Sequence, residues 1–243
     1  MRISRPWRIA GTTSTMKAAD NLNVSADIRG QETLVGALAV AAAGAVILAF
    51  IQLGSLSRHM VAHIALMNVA APLVAMGISR LFQKSMTVAS AGLLWSVTLS
   101  QLALLWVSHS PNMHHLAHSS PLALATLHTV LFASSLVFWI CIITVSSPWQ
   151  AMLALLVSGK LACLLGALLI FAPRLLYDAA SAAHGTHANG GMSLDDQHLA
   201  GLVMIVACPL SYVLSAIVLA AQTTTALQSA RLPAFSGGRI AER

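Results

Sequence analysis

Residues 121–143 read PLALATLHTVLFASSLVFWICII and contain no charged side chain. An apolar run of about 20 residues is long enough to span a bilayer as a helix. Five further runs of this kind lie near residues 34–53, 59–78, 86–107, 150–172 and 198–221. The sequence therefore predicts an all-α, polytopic membrane bundle of about six transmembrane helices.

The composition of the whole chain agrees with a membrane protein. Of the 243 residues, 57% are hydrophobic and only 8% are charged, whereas a soluble domain carries roughly a quarter charged residues. This excludes a soluble enzyme, a coiled coil and a nucleic-acid-binding module. We attribute the net charge of +6 to the charge bias of membrane loops, so the expected surroundings are lipid and not nucleic acid.

The positive residues predict how the chain is oriented. Ten Lys and Arg residues lie in the tails and in the loops on the same side as the tails, against two in the opposite loops. The positive-inside rule then places both termini in the cytoplasm. We expect residues 1–32 to form a basic, disordered tail, residues 34–221 a transmembrane domain, and residues 222–243 a second cytoplasmic tail.

Carboxylates are absent from most of the chain. No Asp or Glu occurs between Thr33 and Tyr177, which excludes paired-carboxylate catalysis there. No metalloprotease, serine-hydrolase or nucleotide-binding motif occurs either, and we predict that the protein is not an enzyme. The cysteines lie in apolar runs and are interpreted as buried thiols; they are Cys141, Cys163 and Cys208.

Histidines, in contrast, gather on one side. In the predicted topology all ten lie on or near the outer face; they are His59, His63, His109, His114, His115, His118, His128, His184, His187 and His198.

Three of these histidines have the spacing of a metal site. His59 and His63 are four residues apart, so they share one face of a helix, and Met67 continues that stripe. His128 and Met204 enter from the same side to a similar depth of about 10 Å. Imidazole and thioether ligands suit copper, and Cu(I) in particular. We therefore predict a metal site of His59, His63 and His128, with Met67, His198 and Met204 as auxiliary ligands.

Other interpretations of the same residues stay open. Interfacial histidines can simply pack helices and bond backbone carbonyls, and methionines commonly fill apolar cores. The loop of residues 109–118 is interpreted as a polar connector, with loose metal collection as the alternative. Lys160, in the middle of the fifth predicted span, is a candidate functional charge, although a lysine that snorkels to the surface would look the same.

Several motifs together resemble a known family. They are HMVAHIALMNVAAPLVAMG (59–77), His128 with the aromatic-rich run LFASSLVFW (131–139), PRLLY (173–177) and DDQHLAGLVM (195–204). These segments resemble the CtaG-like family, multi-span assembly factors for caa-type cytochrome c oxidases. The resemblance covers roughly residues 34–221. Family members usually have seven spans where six are counted here, and Ala200 and Ile205 replace a common glycine and tryptophan.

The resemblance implies a role in oxidase maturation. The chain would be a multi-pass protein of a bacterial cytoplasmic (inner) membrane that delivers or positions copper. Its partners would be cytochrome c oxidase subunits and other copper chaperones. Two alternatives remain: a haem-binding protein in which two histidines are axial ligands, and a metal-free scaffold or transporter.

Overall fold

The computed structural model describes residues 53–82, 86–177 and 193–231, together with Gly36 and Gly44. About 86% of the described residues are helical. The predictions for the N-terminal tail, for nearly all of the span 34–53, and for His184 and His187 fall outside the described residues.

Five helices are long and apolar enough to cross a membrane. They are α1 (Ser55–Leu81), α2 (Ala91–Ser108), α4 (Pro121–Thr144), α5 (Pro148–Phe171) and α6 (Leu194–Arg231). A short helix, α3 (Pro111–His118), lies between α2 and α4. The prediction of an all-α membrane bundle is confirmed.

Local sequence signals explain where several helices begin. The hydroxyls of Ser90, Ser110 and Ser120 accept hydrogen bonds from backbone amides in the first turns of α2, α3 and α4, as N-cap residues do. Proline occupies the first position of α3, α4 and α5, where its missing N–H costs no hydrogen bond.

The last helix is longer than its apolar part. We expected it to end near residue 221, but it continues to Arg231. The prediction was too short because hydropathy identifies only the apolar part of a helix, which fits the membrane. The polar residues that follow contain no proline or glycine that would end the helix.

Close packing of α5 on α6 organises the bundle. A Cβ atom on Gly166 would lie 3.0 Å from the carbonyl oxygen of Gly201, and one on Gly201 would lie 2.8 Å from that of Gly166. Small residues at such a crossing let two membrane helices approach closely. The long α6 also packs along α1, and α4 packs against α1 and α2.

Alternation of helix direction brings five helix ends together. The N-termini of α1, α4 and α6 and the C-termini of α2 and α5 form one end of the bundle, which we call the histidine end. An apolar cluster that includes Met60, Leu131, Leu165 and Met204 lies next to it, and a second cluster around Phe138 and Tyr212 fills the other half.

Helix α1 contains a π-helical turn, Ala65–Ala70, just before Pro72. Proline has no N–H to donate. In π-helical spacing, the carbonyl left without a donor is the one five residues before Pro72, that of Met67. That carbonyl instead accepts hydrogen bonds from Ser135 Oγ at 2.8 Å and Trp139 Nε1 at 3.0 Å. A neighbouring helix, α4, thus satisfies the carbonyl that Pro72 leaves without its helical partner.

The same compensation occurs in α6. Pro209 frees the carbonyl of Ile205, and the thiol of Cys163 on α5 lies 3.8 Å from that oxygen. All three cysteines are free thiols; Cys141 and Cys208 are buried as predicted, whereas Cys163 is only partly buried because it faces the edge of the contact between α5 and α6.

The orientation of the histidine end can be tested by labelling. In a chain whose three cysteines are replaced by serine, we expect a membrane-impermeant maleimide to label Ser120→Cys in intact cells. Thr87→Cys, exposed at the opposite end of the bundle, should react only after permeabilisation, because the positive residues lie on that side. The reverse pattern would place the histidine end in the cytoplasm.

Candidate metal centre

Five imidazole rings from four structural elements lie together at the histidine end. His59 and His63 come from α1, His109 directly follows α2, His114 lies on α3, and His128 lies two turns into α4. Four of them are buried and His128 is half-buried. The predicted triad of His59, His63 and His128 thus belongs to one cluster with two more rings.

The rings have the spacing of ligands around a small ion. The ring centroid of His59 lies 5.0 Å from that of His128, 5.5 Å from His63 and 5.9 Å from His114. That of His109 lies 5.1 Å from His63 and 6.5 Å from His59. Two imidazoles on one ion, with bonds of about 2.0 Å, place their centroids about 5 Å apart. The separations of 5.0, 5.1 and 5.5 Å are close to that value, and those of 5.9 and 6.5 Å are wider.

His109 has one nitrogen held and the other available. Its Nδ1 lies 2.7 Å from the carbonyl oxygen of Leu105, so we assign the hydrogen to Nδ1, which donates to that carbonyl. Burial lowers the pKa of His109 to about 4, so the ring is neutral at pH 7. The lone pair on Nε2 is therefore free to bind a metal, and a backbone bond on the far nitrogen is the usual way to orient such a ligand.

A sulfur atom faces that lone pair. Nε2 of His109 lies 3.2 Å from Sδ of Met60 on α1. With the hydrogen on Nδ1, no proton lies between these two electron-pair donors. A nitrogen and a sulfur bound to one ion lie about 3.5 Å apart for bonds of about 2.0 and 2.3 Å. The pair therefore has the separation of two ligands of one soft ion.

The ring of His63 supports the same interpretation. It is 1% exposed, and its two nitrogens have at most one weak hydrogen bond between them, to the backbone of His59 one turn earlier. A buried polar atom without a partner is costly unless a ligand satisfies it. Within the described ranges no three His, Cys, Asp or Glu side chains converge on one point as they stand. Three centroid separations, from 5.0 to 5.5 Å, already suit neighbouring ligands of one ion, so a bound ion would require the rings to rotate and the wider pairs to approach.

Tyr177, after α5, holds two of the rings. Its hydroxyl donates a hydrogen bond to the carbonyl of His109 at 3.0 Å, and its ring centroid lies 4.5 Å from that of His114. This gives a positioning role to the last residue of the PRLLY segment.

Asp196, in the first turn of α6, holds the start of α1. Its two carboxylate oxygens accept hydrogen bonds from the amides of Leu56 and Ser57, at 3.0 and 3.1 Å, and Ser57 Oγ also donates to it. Gly54, at the N-cap of α1, has no side chain to do this, and a methyl group there would overlap the carboxylate. A negative charge at a helix N-terminus is stabilising. Ser57, which this carboxylate contacts, lies two residues before His59.

The next residue, Gln197, holds the end of α5. Its Oε1 accepts from the amide of Leu176 at 2.8 Å, and its Nε2 donates to the carbonyls of Leu169 and Arg174 at 3.1 and 3.3 Å. The Asp-Gln pair thus fixes the last helix to the backbone on both sides of the cluster.

The structure places the predicted auxiliary residues and Lys160 outside the ring contacts of the cluster. Met67 and Met204 are buried in the apolar cluster beside Met60, but among the described contacts Met60 is the methionine that touches an imidazole. His198 is half-buried, and no recorded ring contact in the described chain joins it to the cluster. Lys160 is exposed on α5 and lies outside the cluster.

Within residues 109–118, which we interpreted as a polar connector, the structure brings His109 and His114 into the cluster. Their rings are buried in the cluster, while His115 on the same short helix is exposed. The sequence did contain a signal, since Ser110-Pro111 is a typical helix start. In a helix, neighbouring residues point in different directions, so His114 faces the cluster and His115 faces outward; a loop without regular structure would not fix these directions.

These features define a polytopic helical membrane protein with a buried histidine cluster at one end of its bundle. Residues 33–226 match the family described as cytochrome c oxidase caa3 assembly factor (Caa3_CtaG), and the chain belongs to this family. The expected resemblance is confirmed over most of the chain. No curated protein and no solved structure matches the chain.

The role of Asp196 predicts a selective loss of stability. We expect Asp196→Asn to lower the free energy of unfolding by about 2 kcal/mol, because a buried, charge-assisted bond to two amides is lost. Asp195→Asn is the matched control, since Asp195 is exposed in the same turn and should change stability by less than about 0.5 kcal/mol. Thermal unfolding in detergent, followed by circular dichroism, measures both, and equal effects would contradict the assignment.

Proposed function

We propose that this chain is a copper-handling assembly factor for a cytochrome c oxidase. The observation that carries the proposal is the cluster of five imidazoles with a thioether against His109. Nitrogen and thioether ligands without carboxylates favour Cu(I) over magnesium, calcium or manganese. The family's association with the oxidase supplies the destination of the ion.

The ligand set combines predicted and newly found residues. His59, His63 and His128 form the predicted part, and His109 with Met60 extends it. His114 lies beside His59, where it can exchange for another ring as the ion enters or leaves. A set with more donors than one ion needs suits a protein that passes its cargo on, because a new bond can form before an old one breaks.

The direction of transfer follows from the orientation of the bundle. In the predicted topology the histidine end faces the outer side of a bacterial cytoplasmic membrane. Copper would arrive from other copper chaperones there and leave to an oxidase subunit. The protein would hold and release an ion and would catalyse no reaction.

The haem alternative fits the described packing less well. A haem lies as a flat macrocycle between two axial imidazoles. Here His59, His63 and His109 form a triangle of rings with sides of 5.1 to 6.5 Å; the two shorter sides suit neighbouring ligands of one small ion, which a pair of axial haem ligands would not give.

Single substitutions test the ligand set. We expect His63→Ala and His109→Ala each to weaken Cu(I) binding at least about tenfold, because even indirect partners of metal ligands change affinity by this much. His115→Ala is the matched control, since His115 is exposed, and its affinity should equal that of the unchanged chain. Competition titration of purified, folded protein with a chromogenic Cu(I) chelator gives the affinities.

Two results would contradict the proposal. Equal copper affinity in the His63, His109 and His115 variants would remove the cluster from metal binding and favour the metal-free scaffold. A Soret band that copurifies with the chain and disappears in His63→Ala would instead favour haem.

A further inference from the structure

The outward face of α5 carries one charge in an otherwise apolar stripe. Residues at three- and four-residue spacing along α5 are exposed; they are Trp149, Leu153, Leu156, Lys160, Leu164, Leu168 and Phe171. This spacing forms a single face of a helix. Lys160 lies at its centre, with an exposed leucine about one turn away on either side.

The position of Lys160 along α5 puts its amine deep in the membrane. Pro148 and Phe171, the ends of α5, are each about 17 Å away along the helix axis. Half of the hydrocarbon core is about 15 Å thick. A lysine side chain snorkels to the headgroups from near a helix end, whereas from the centre it crosses only part of that distance.

In the part of the chain that the structure describes, no carboxylate lies near the middle of a membrane helix. None occurs between Glu32 and Asp178, so the apolar run 34–53 would cover the stripe without a counter-charge. Of the remaining carboxylates in the membrane domain, Asp195 and Asp196 lie in the first turn of α6, at the histidine end. A second copy of the chain has the same distribution and would bring no acid to the middle of the bilayer.

We propose that the α5 stripe docks a transmembrane helix of another protein, and that this helix carries an Asp or Glu at mid-membrane depth. Lys160 pairs with the carboxylate, and Leu156 and Leu164 pack against the apolar side chains on either side of it. Charged residues within a membrane are stabilised by pairing with each other, and polar contacts contribute to helix association in lipid. Charge complementarity therefore determines which helix binds.

A synthetic helix provides the probe. The full chain, labelled with a donor fluorophore at Ser120→Cys in the cysteine-free background, is reconstituted in phosphatidylcholine vesicles with a metal chelator. Acceptor-labelled polyleucine helices carry Asp or Leu at their central position. We expect energy transfer to report association with the Asp helix about tenfold tighter than with the Leu helix.

Variants of Lys160 show whether the charge is responsible. Lys160→Leu should remove the preference for the Asp helix, and Lys160→Arg should retain it. In Lys160→Asp, the preference should move to a polyleucine helix with a central Lys. Circular dichroism of each variant in the vesicles confirms that equal amounts of folded protein are compared.

Two outcomes would overturn the proposal. Equal association of the unchanged chain with the Asp and Leu helices would mean that Lys160 only reaches toward lipid phosphates. Retention of the Asp preference in Lys160→Leu would place the docking face elsewhere. Since no metal is present, either failure leaves the copper proposal untouched, and loss of copper binding leaves this one untouched.

Discussion

The carboxylate of Asp196 on the first turn of α1 is the contact on which the histidine end depends. The first amides of a helix have no partners within the helix, and in a membrane protein such groups must be satisfied internally. Here a side chain from the far end of the sequence satisfies two of them. Because His59 and His63 lie in the next two turns, the same contact sets their height and direction relative to α6.

The other ring-bearing elements are fixed in related ways. Tyr177 bonds the carbonyl of His109 and lies against His114, while Gln197 bonds the chain on both sides of the end of α5. The side chains of Asp196, Gln197 and Tyr177 thus form hydrogen bonds with backbone groups, while the imidazoles and Met60 face each other. Among the described residues, the carboxylate of Asp196 is bonded to amide donors, and the groups that face one another in the cluster are imidazoles and the Met60 thioether.

Much of this arrangement follows from the sequence, and the part that does not has a physical reason. Helices were predictable because a bilayer demands long apolar runs, and the spacing of His59 and His63 places them on one face of any helix. His109 and His114 were missed because the direction of a ring after a helix end depends on tertiary contacts such as those of Tyr177. The role of Asp196 was hidden because its partners lie about 140 residues away. The exposure of Lys160 likewise depends on how α5 packs, which hydropathy does not report.

The central claim is that imidazoles and the Met60 thioether bind one copper ion, and X-ray absorption at the copper edge tests it most directly. The purified chain would be loaded with less than stoichiometric Cu(I), beside Met60→Leu and, as control, Met113→Leu on the exposed side of α3. The account predicts imidazole scattering in all three proteins. It also predicts a sulfur neighbour at about 2.3 Å that disappears only in Met60→Leu. A spectrum of oxygen neighbours without imidazole, or a sulfur neighbour unchanged by Met60→Leu, would contradict it.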